Sequence, residues 1–183
     1  MVVESQRMTV EEFDQFVAQP ENTDRLFEYI GGEVIEVVSN QRASAIAYRL
    51  GVFIGMYLLQ NQVGGVATGA DGGYVIAGER YIPHIAFVSA ARQTEPSDRA
   101  FSPIAPDLAV EVLSPSNTPH EMHVKVVNYL SVGTTVWVVD PDRQQVEVYV
   151  PGQPVRKVGL DGVLDGGDVL PGFSVAVREI FQA

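Results

Sequence analysis

Asp107 and Glu111 stand four residues apart in PDLAVEVL, an otherwise apolar run, and Lys125 follows on the next helical stretch, EMHVKVVNYL. In an extended strand residues i, i+2 and i+4 share a face, so both carboxylates are expected on one side with Ala109 between them. Glu111 lies inside VEVL, where a valine would otherwise stand, and a carboxylate there needs a partner because charge is rarely buried unpaired. Lys125 and Lys157 are the only two lysines of the chain. An ammonium is a compact charge that can position water or stabilise charge developing on a phosphate. Together the three residues point to a metal-type site on this strand and the helix after it, with Tyr129, at i+4 from Lys125, placed to cover or orient the ammonium. Two plainer arrangements use the same residues: a wet edge strand or a salt bridge for the acids, and a solvated helix face for Lys125.

Other chemistry finds less support. His120 and His123 have an i, i+3 spacing at which two imidazoles can share a metal, but a third ligand is not obvious. There is no G-x-S-x-G elbow, and Ser114 belongs to a proline turn. Glycine-rich phosphate loops of the Walker or dinucleotide type are absent. With no cysteine there is no thiolate ligand or nucleophile, so a metal would be held by oxygen or imidazole, which favours magnesium or manganese over structural zinc. The net charge of -11 argues against coating DNA by bulk attraction, although clustered carboxylates around an ion inflate that total.

The elements that must position these residues are legible from pattern. Thr9 and Glu12 form a capping-box signature ahead of Phe13, Phe16 and Val17, a short amphipathic helix. LFEYI and EVIEVV alternate around Gly31-Gly32, a β-hairpin. Residues 44–60 carry Ile46, Leu50, Phe53, Ile54, Tyr57 and Leu58 on one broad helical face, ending before Gly64-Gly65. VATGA, YVIAG and IAFVS read as short strands, and residues 90–103 as a polar loop. DLAVEVL is a strand, SPSNTP a turn, and a helix runs to about Leu130 before the buried strand TTVWVVD. That helix has the length to connect the two strands as parallel neighbours through a right-handed crossover. QVEVYV, VRKVGL and FSVAV complete a β-rich end. The whole reads as one α/β or α+β domain over residues 1–183. No uninterrupted apolar run reaches ~20 residues, and the amino terminus lacks the basic region of a signal peptide, so a cytoplasmic protein without a membrane partner is expected.

The order FEYIGGEVIEV, PHIAFVS, PDLAVEVLSPSN, KVVNYL, GTTVWVVDP and VEVYV resembles the Uma family of restriction-endonuclease-like proteins, a branch of the PD-(D/E)XK superfamily. The likeness runs from about Met8 to Phe181. It implies a restriction-endonuclease-like core, a mixed central sheet flanked by helices, in which carboxylates hold magnesium or manganese for phosphodiester cleavage. Glu111 would be the acid of the (D/E)-x-K strand. The usual lysine position is Leu113, and the resemblance moves that role to Lys125. Asp107 would be a supporting acid, and Glu28 or Glu33 the accessory acid on the hairpin. The family pattern Pro-Asp before the AFV-like strand is here Pro83-His84, which puts an imidazole where a principal carboxylate ligand is expected.

Three functions follow as expectations. The first is a metal-dependent endonuclease with Glu111, Asp107, His84 and Glu33 or Glu28 around the ion and Lys125 beside the scissile phosphate. Its partner would be nucleic acid, DNA first, and a homodimer is expected by analogy with enzymes of this fold that cut two strands. The second is a catalytically silent module binding nucleic acid or protein. The third is a structural or interaction protein with a vestigial site.

Overall fold

The computed structural model describes residues 8–182, so the amino-terminal residues that argued against a signal peptide fall largely outside the described range. Helix α1 (Val10–Val17) starts at the capping box of Thr9 and Glu12, with both reciprocal hydrogen bonds formed. A 3-10 turn at Pro20–Asn22 leads to the hairpin β1 (Phe27–Ile30) and β2 (Glu33–Glu36). Gly31 and Gly32 turn it with φ of 60° and 86°, values that a side chain rarely adopts and that match hairpin twist. Helix α2 (Gln41–Gln60) begins three residues earlier than its apolar face predicts. Asn40 is the reason: its side chain accepts the Ala43 amide and closes the first turn.

Six short strands follow: β3 (Gly65–Thr68), β4 (Gly73–Ile76), β5 (Glu79–Tyr81), β6 (Ile85–Ser89), β7 (Phe101–Ser102) and β8 (Leu108–Val112). Helix α3 (Pro119–Ser131) carries a second capping box, Thr118 with Glu121, and a proline in its first turn. Then come β9 (Thr135–Asp140), β10 (Gln145–Tyr149), β11 (Arg156–Val158), β12 (Val163–Asp165), β13 (Ser174–Ala176) and α4 (Val177–Phe181). β5, β7 and β12 have no counterpart in the pattern-based reading, being too short for alternation to register.

The central sheet has the order β11-β10-β9-β8-β6-β3, and β8 and β9 are its parallel pair, joined by α3 as their lengths predict. β8 lies between β9 and β6 and is buried at all five positions, so the edge-strand alternative for Glu111 does not hold. Its alternation divides two cores. Leu108, Val110 and Val112 pack on α2 through Ala43, Leu50 and Ile54. Ala109 faces the other way, toward Val126 and Tyr129 of α3 and toward Tyr74 and Tyr81 of the second sheet, whose order is β2-β1-β5-β4-β7. Glu111 has the parity of Ala109 and is therefore delivered between the central sheet, α3 and the second sheet.

Two motifs behind the resemblance prove to be structural. Asp140, after Trp137 and Val139, accepts the amides of Asp142 and Arg143, so its carboxylate closes the turn into β10. Asn117 of SPSN accepts from the Ser114 amide and hydroxyl, and the Ser116 hydroxyl donates to the Val38 carbonyl. Helix α2 has the length and apolar composition to cross a membrane, which narrows the expectation that no segment reaches that length; its Leu50 and Ile54 belong to the core.

Candidate active site

Lys125 is the centre of a buried charge cluster. Its ammonium lies 2.6 Å from Glu111 Oε1 and 2.8 Å from Glu28 Oε1, and the three residues are exposed by only 4%, 2% and 7%. The solvated helix face is thus excluded, whereas the salt bridge named as the plainer alternative is present. Tyr129 donates to Glu111 Oε1 at 3.0 Å, and the Ile82 amide donates to Glu28 Oε1 at 2.6 Å. Tyr81 lays its ring beneath the ammonium, 5.4 Å from centroid to Nζ, and meets Tyr129 edge-on.

Two carboxylates facing one ammonium leave a surplus negative charge if both ionise. Burial pushes the Glu28 carboxyl above the ordinary carboxylate range, Lys125 opposes this, and Glu111 adds to it. Burial also acts upward on Glu111, but the Lys125 ammonium, with His84 beside it, outweighs burial and holds Glu111 below the ordinary range. Burial by itself would lower Lys125, and the two acids more than reverse that. Glu111 is therefore the ionised acid of the pair and Glu28 the one that keeps a proton longer.

His84 comes from the residue before β6, the strand adjacent to β8, and its Nδ1 lies 3.5 Å from Glu111 Oε2. The same nitrogen lies 3.3 Å from the Val112 amide, which donates to it. His84 is the member of the cluster that opens to solvent: it lines a cleft of about 680 Å³ between α2 and the segments following β3 and β5.

The other residues singled out from sequence are placed elsewhere. Asp107 shares the face of Glu111 but precedes it by four residues, about 13 Å along a strand. Its carboxylate accepts the Ser89 amide at 2.7 Å and pairs with Arg92 at 2.8 Å, so it anchors the start of the loop after β6 rather than joining Lys125. Of the two hairpin acids, Glu28 reaches the cluster. Glu33 stands on β2 opposite Ile30 and is not the acid that meets Lys125. His120 and His123 are exposed on α3, and among the described residues no group of three His, Asp or Glu converges as a cation site.

Sequence reasoning passed over Glu79, Tyr81 and Asn128. Asn128 donates to Glu79 Oε2 at 3.0 Å and to the Tyr81 hydroxyl at 2.7 Å, and Tyr81 donates to Glu79 in turn. Glu79 also accepts the Gly31 amide at 2.7 Å, tying the hairpin turn to α3. The signal was the i, i+2 pair in ERY, which shares one face of a strand.

Burial pushes the Asp107 carboxyl up, but the Ser89 amide and Arg92 hold it below the ordinary range. A depressed carboxylate contributes stability that is present above its unfolded pKa of about 3.9 and is lost as pH falls through the folded value. Asp107→Asn is expected to lower the unfolding temperature at pH 7, with the difference from the parent closing below about pH 3. A gap that stays constant down to that pH would show that the carboxylate charge is not the stabilising feature.

The fold and the sequence each match known proteins. The fold is shared with a protein from Anabaena variabilis, whose crystal structure is described as "a putative nuclease belonging to DUF820": the two superpose with a TM-score of 0.79 over 92% of this chain and 96% of that one, at 24% identity. Residues 10–178 match the family Uma2, described as "Putative restriction endonuclease", and the chain belongs to that family. No curated protein shows significant similarity to it.

Proposed function

We propose that the chain is a nuclease of the restriction-endonuclease type whose reaction centre is the cluster of Glu28, Glu111, Lys125 and His84, and whose magnesium-dependent cleavage is attenuated by His84. The observation that carries this reading is the position of Lys125, bridging the acid of β8 to the acid of the hairpin, with a cleft-lining imidazole 3.5 Å from the β8 acid. Family membership supports the reaction class, and restriction-endonuclease-like proteins generally use divalent ions.

The donor set decides what this centre can hold. Both Oε1 atoms are engaged by Lys125, so the ammonium stands where the two carboxylates converge. Beside Glu111 Oε2 stands an imidazole nitrogen, and magnesium requires a near-octahedral shell of oxygen. As arranged, the residues do not fit magnesium. Manganese accepts imidazole as well as carboxylate and is the better match to His84 with Glu111.

Calorimetric titration with each ion, paired with cleavage assays on DNA and RNA, tests the reading. Manganese is expected to bind more tightly than magnesium, with little or no cleavage in magnesium. Tight magnesium binding with ready cleavage contradicts the assignment of His84. The silent-module reading is favoured by the same closure of both acids on Lys125, and it prevails if neither ion binds and no nucleic acid is cut.

A further inference from the structure

The cleft that ends at His84 differs from a surface built to grip a duplex. Ala47, Gly51 and Gly55 of α2 line it together with Ala67 and Ala70, and no Lys or Arg does. Its volume falls within the range of about 300–1,000 Å³ that is usual for small-ligand sites. Tyr48, on the same helix, is 76% exposed and presents its ring to the opening. Elsewhere on the molecule every Lys and Arg among the described residues except Arg49 and Arg99 is in an ion pair with an acid.

A duplex offers a protein mainly its phosphates, which are recognised by cations that displace counterions. This chain has a net charge of -11 and has committed nearly all its described cations to its own carboxylates. An unpaired nucleotide offers something else, the flat apolar face of its base, which stacks on an exposed aromatic ring for roughly 1–3 kcal/mol per base without a requirement for charge. The small side chains of the cleft leave room for such a face, and the hydroxyls of Ser39 and Ser44 on its wall can meet a base edge.

We infer that this cleft takes the base of an unpaired nucleotide, so that the substrate is single-stranded nucleic acid, with the adjoining phosphodiester presented to the His84 end of the cleft. The inference rests on the nuclease reading above and narrows its substrate class.

Fluorescence anisotropy of the full chain, in chelator so that nothing is cut, tests it with three labelled probes: an oligothymidylate, an oligouridylate and a duplex of the same length. At least one single strand is expected to bind about tenfold or more tightly than the duplex, and the two single strands distinguish DNA from RNA. Between about 50 and 200 mM salt that affinity should fall by about threefold or less, the change for one neutralised phosphate. Tyr48→Ala removes the stacking ring and should weaken binding about tenfold. Gly55→Leu is a second route to the same end: Gly55 lines the cleft and a Cβ there meets nothing within 4 Å, so a side chain can enter the space from that position, and leucine favours the helix over glycine. Preference for the duplex, or single-strand binding indifferent to both substitutions, overturns the inference and leaves the nuclease reading standing. Failure of all three probes to bind overturns the nuclease reading with it.

Discussion

Lys125→Met is expected to destabilise the protein by about 3–5 kcal/mol at pH 7, the usual cost of leaving a buried charge without its partner. For a chain of this size that is roughly 6–20 °C in unfolding temperature. The reason is geometric. Glu28 and Glu111 both converge on the ammonium within 2.8 Å, and what remains after its removal is one tyrosine hydroxyl and the more distant His84 ring at Glu111 and one backbone amide at Glu28. Methionine keeps most of the volume and the contact with the Tyr81 ring while deleting the charge.

The pH dependence has a definite sign. Without the ammonium, burial raises both carboxyls above their unfolded values of about 4.3. A raised carboxyl favours the folded state below the unfolded pKa and loses that contribution as pH rises through the folded value. The deficit of Lys125→Met should therefore be largest at neutral pH and shrink toward pH 4. Adding Glu28→Gln and Glu111→Gln should restore much of the lost stability by removing the stranded charges. A deficit under about 1 kcal/mol that does not vary with pH would mean that solvent reaches the acids and that the cluster is not buried as described.

Much of this centre was legible because it depends on short-range periodicity. Strand parity puts Glu111 on the face of Ala109, and α3 after it returns Lys125 to that face, so the meeting of the two follows from alternation and one crossover. The neighbouring strand motif brought His84 beside Glu111 for the same reason. Parity could not choose between Glu28 and Glu33. Glu28 pairs with Ile35 and Ile30 with Glu33, so both acids lie on one face of the hairpin, and only the placement of α3 across that face selects Glu28. Parity also overextended the site to Asp107, since it says which side a carboxylate faces and not what waits there. Arg92, which claims it, comes from a loop with no pattern to read. Glu79 and Tyr81 escaped notice because a three-residue strand is too short for periodicity, although together with Asn128 they tie the hairpin to α3.

His84→Asp is expected to raise magnesium affinity by about tenfold or more. The change places an anionic oxygen ligand next to Glu111 Oε2, where the parent has an imidazole nitrogen at 3.5 Å, and brings a second carboxylate to that side of the centre. Without metal that added charge lies beside a buried carboxylate and should lower the unfolding temperature; magnesium should recover it, because an ion bound to the folded state alone stabilises it by mass action. The Val112 amide, which donates to His84 Nδ1, keeps an acceptor in the aspartate.

The most direct measurement is the magnesium-dependent cleavage rate of labelled single-stranded and duplex oligonucleotides by the parent, by His84→Asp and by His84→Asp combined with Glu111→Gln. A centre made of Glu28, Glu111, Lys125 and position 84 predicts little or no cleavage by the parent, a rate at least about tenfold higher for His84→Asp, and loss of that gain in the double variant. Ready cleavage by the parent in magnesium, with His84→Asp binding the ion no better and cutting no faster, would contradict it and place the chemistry elsewhere on the chain.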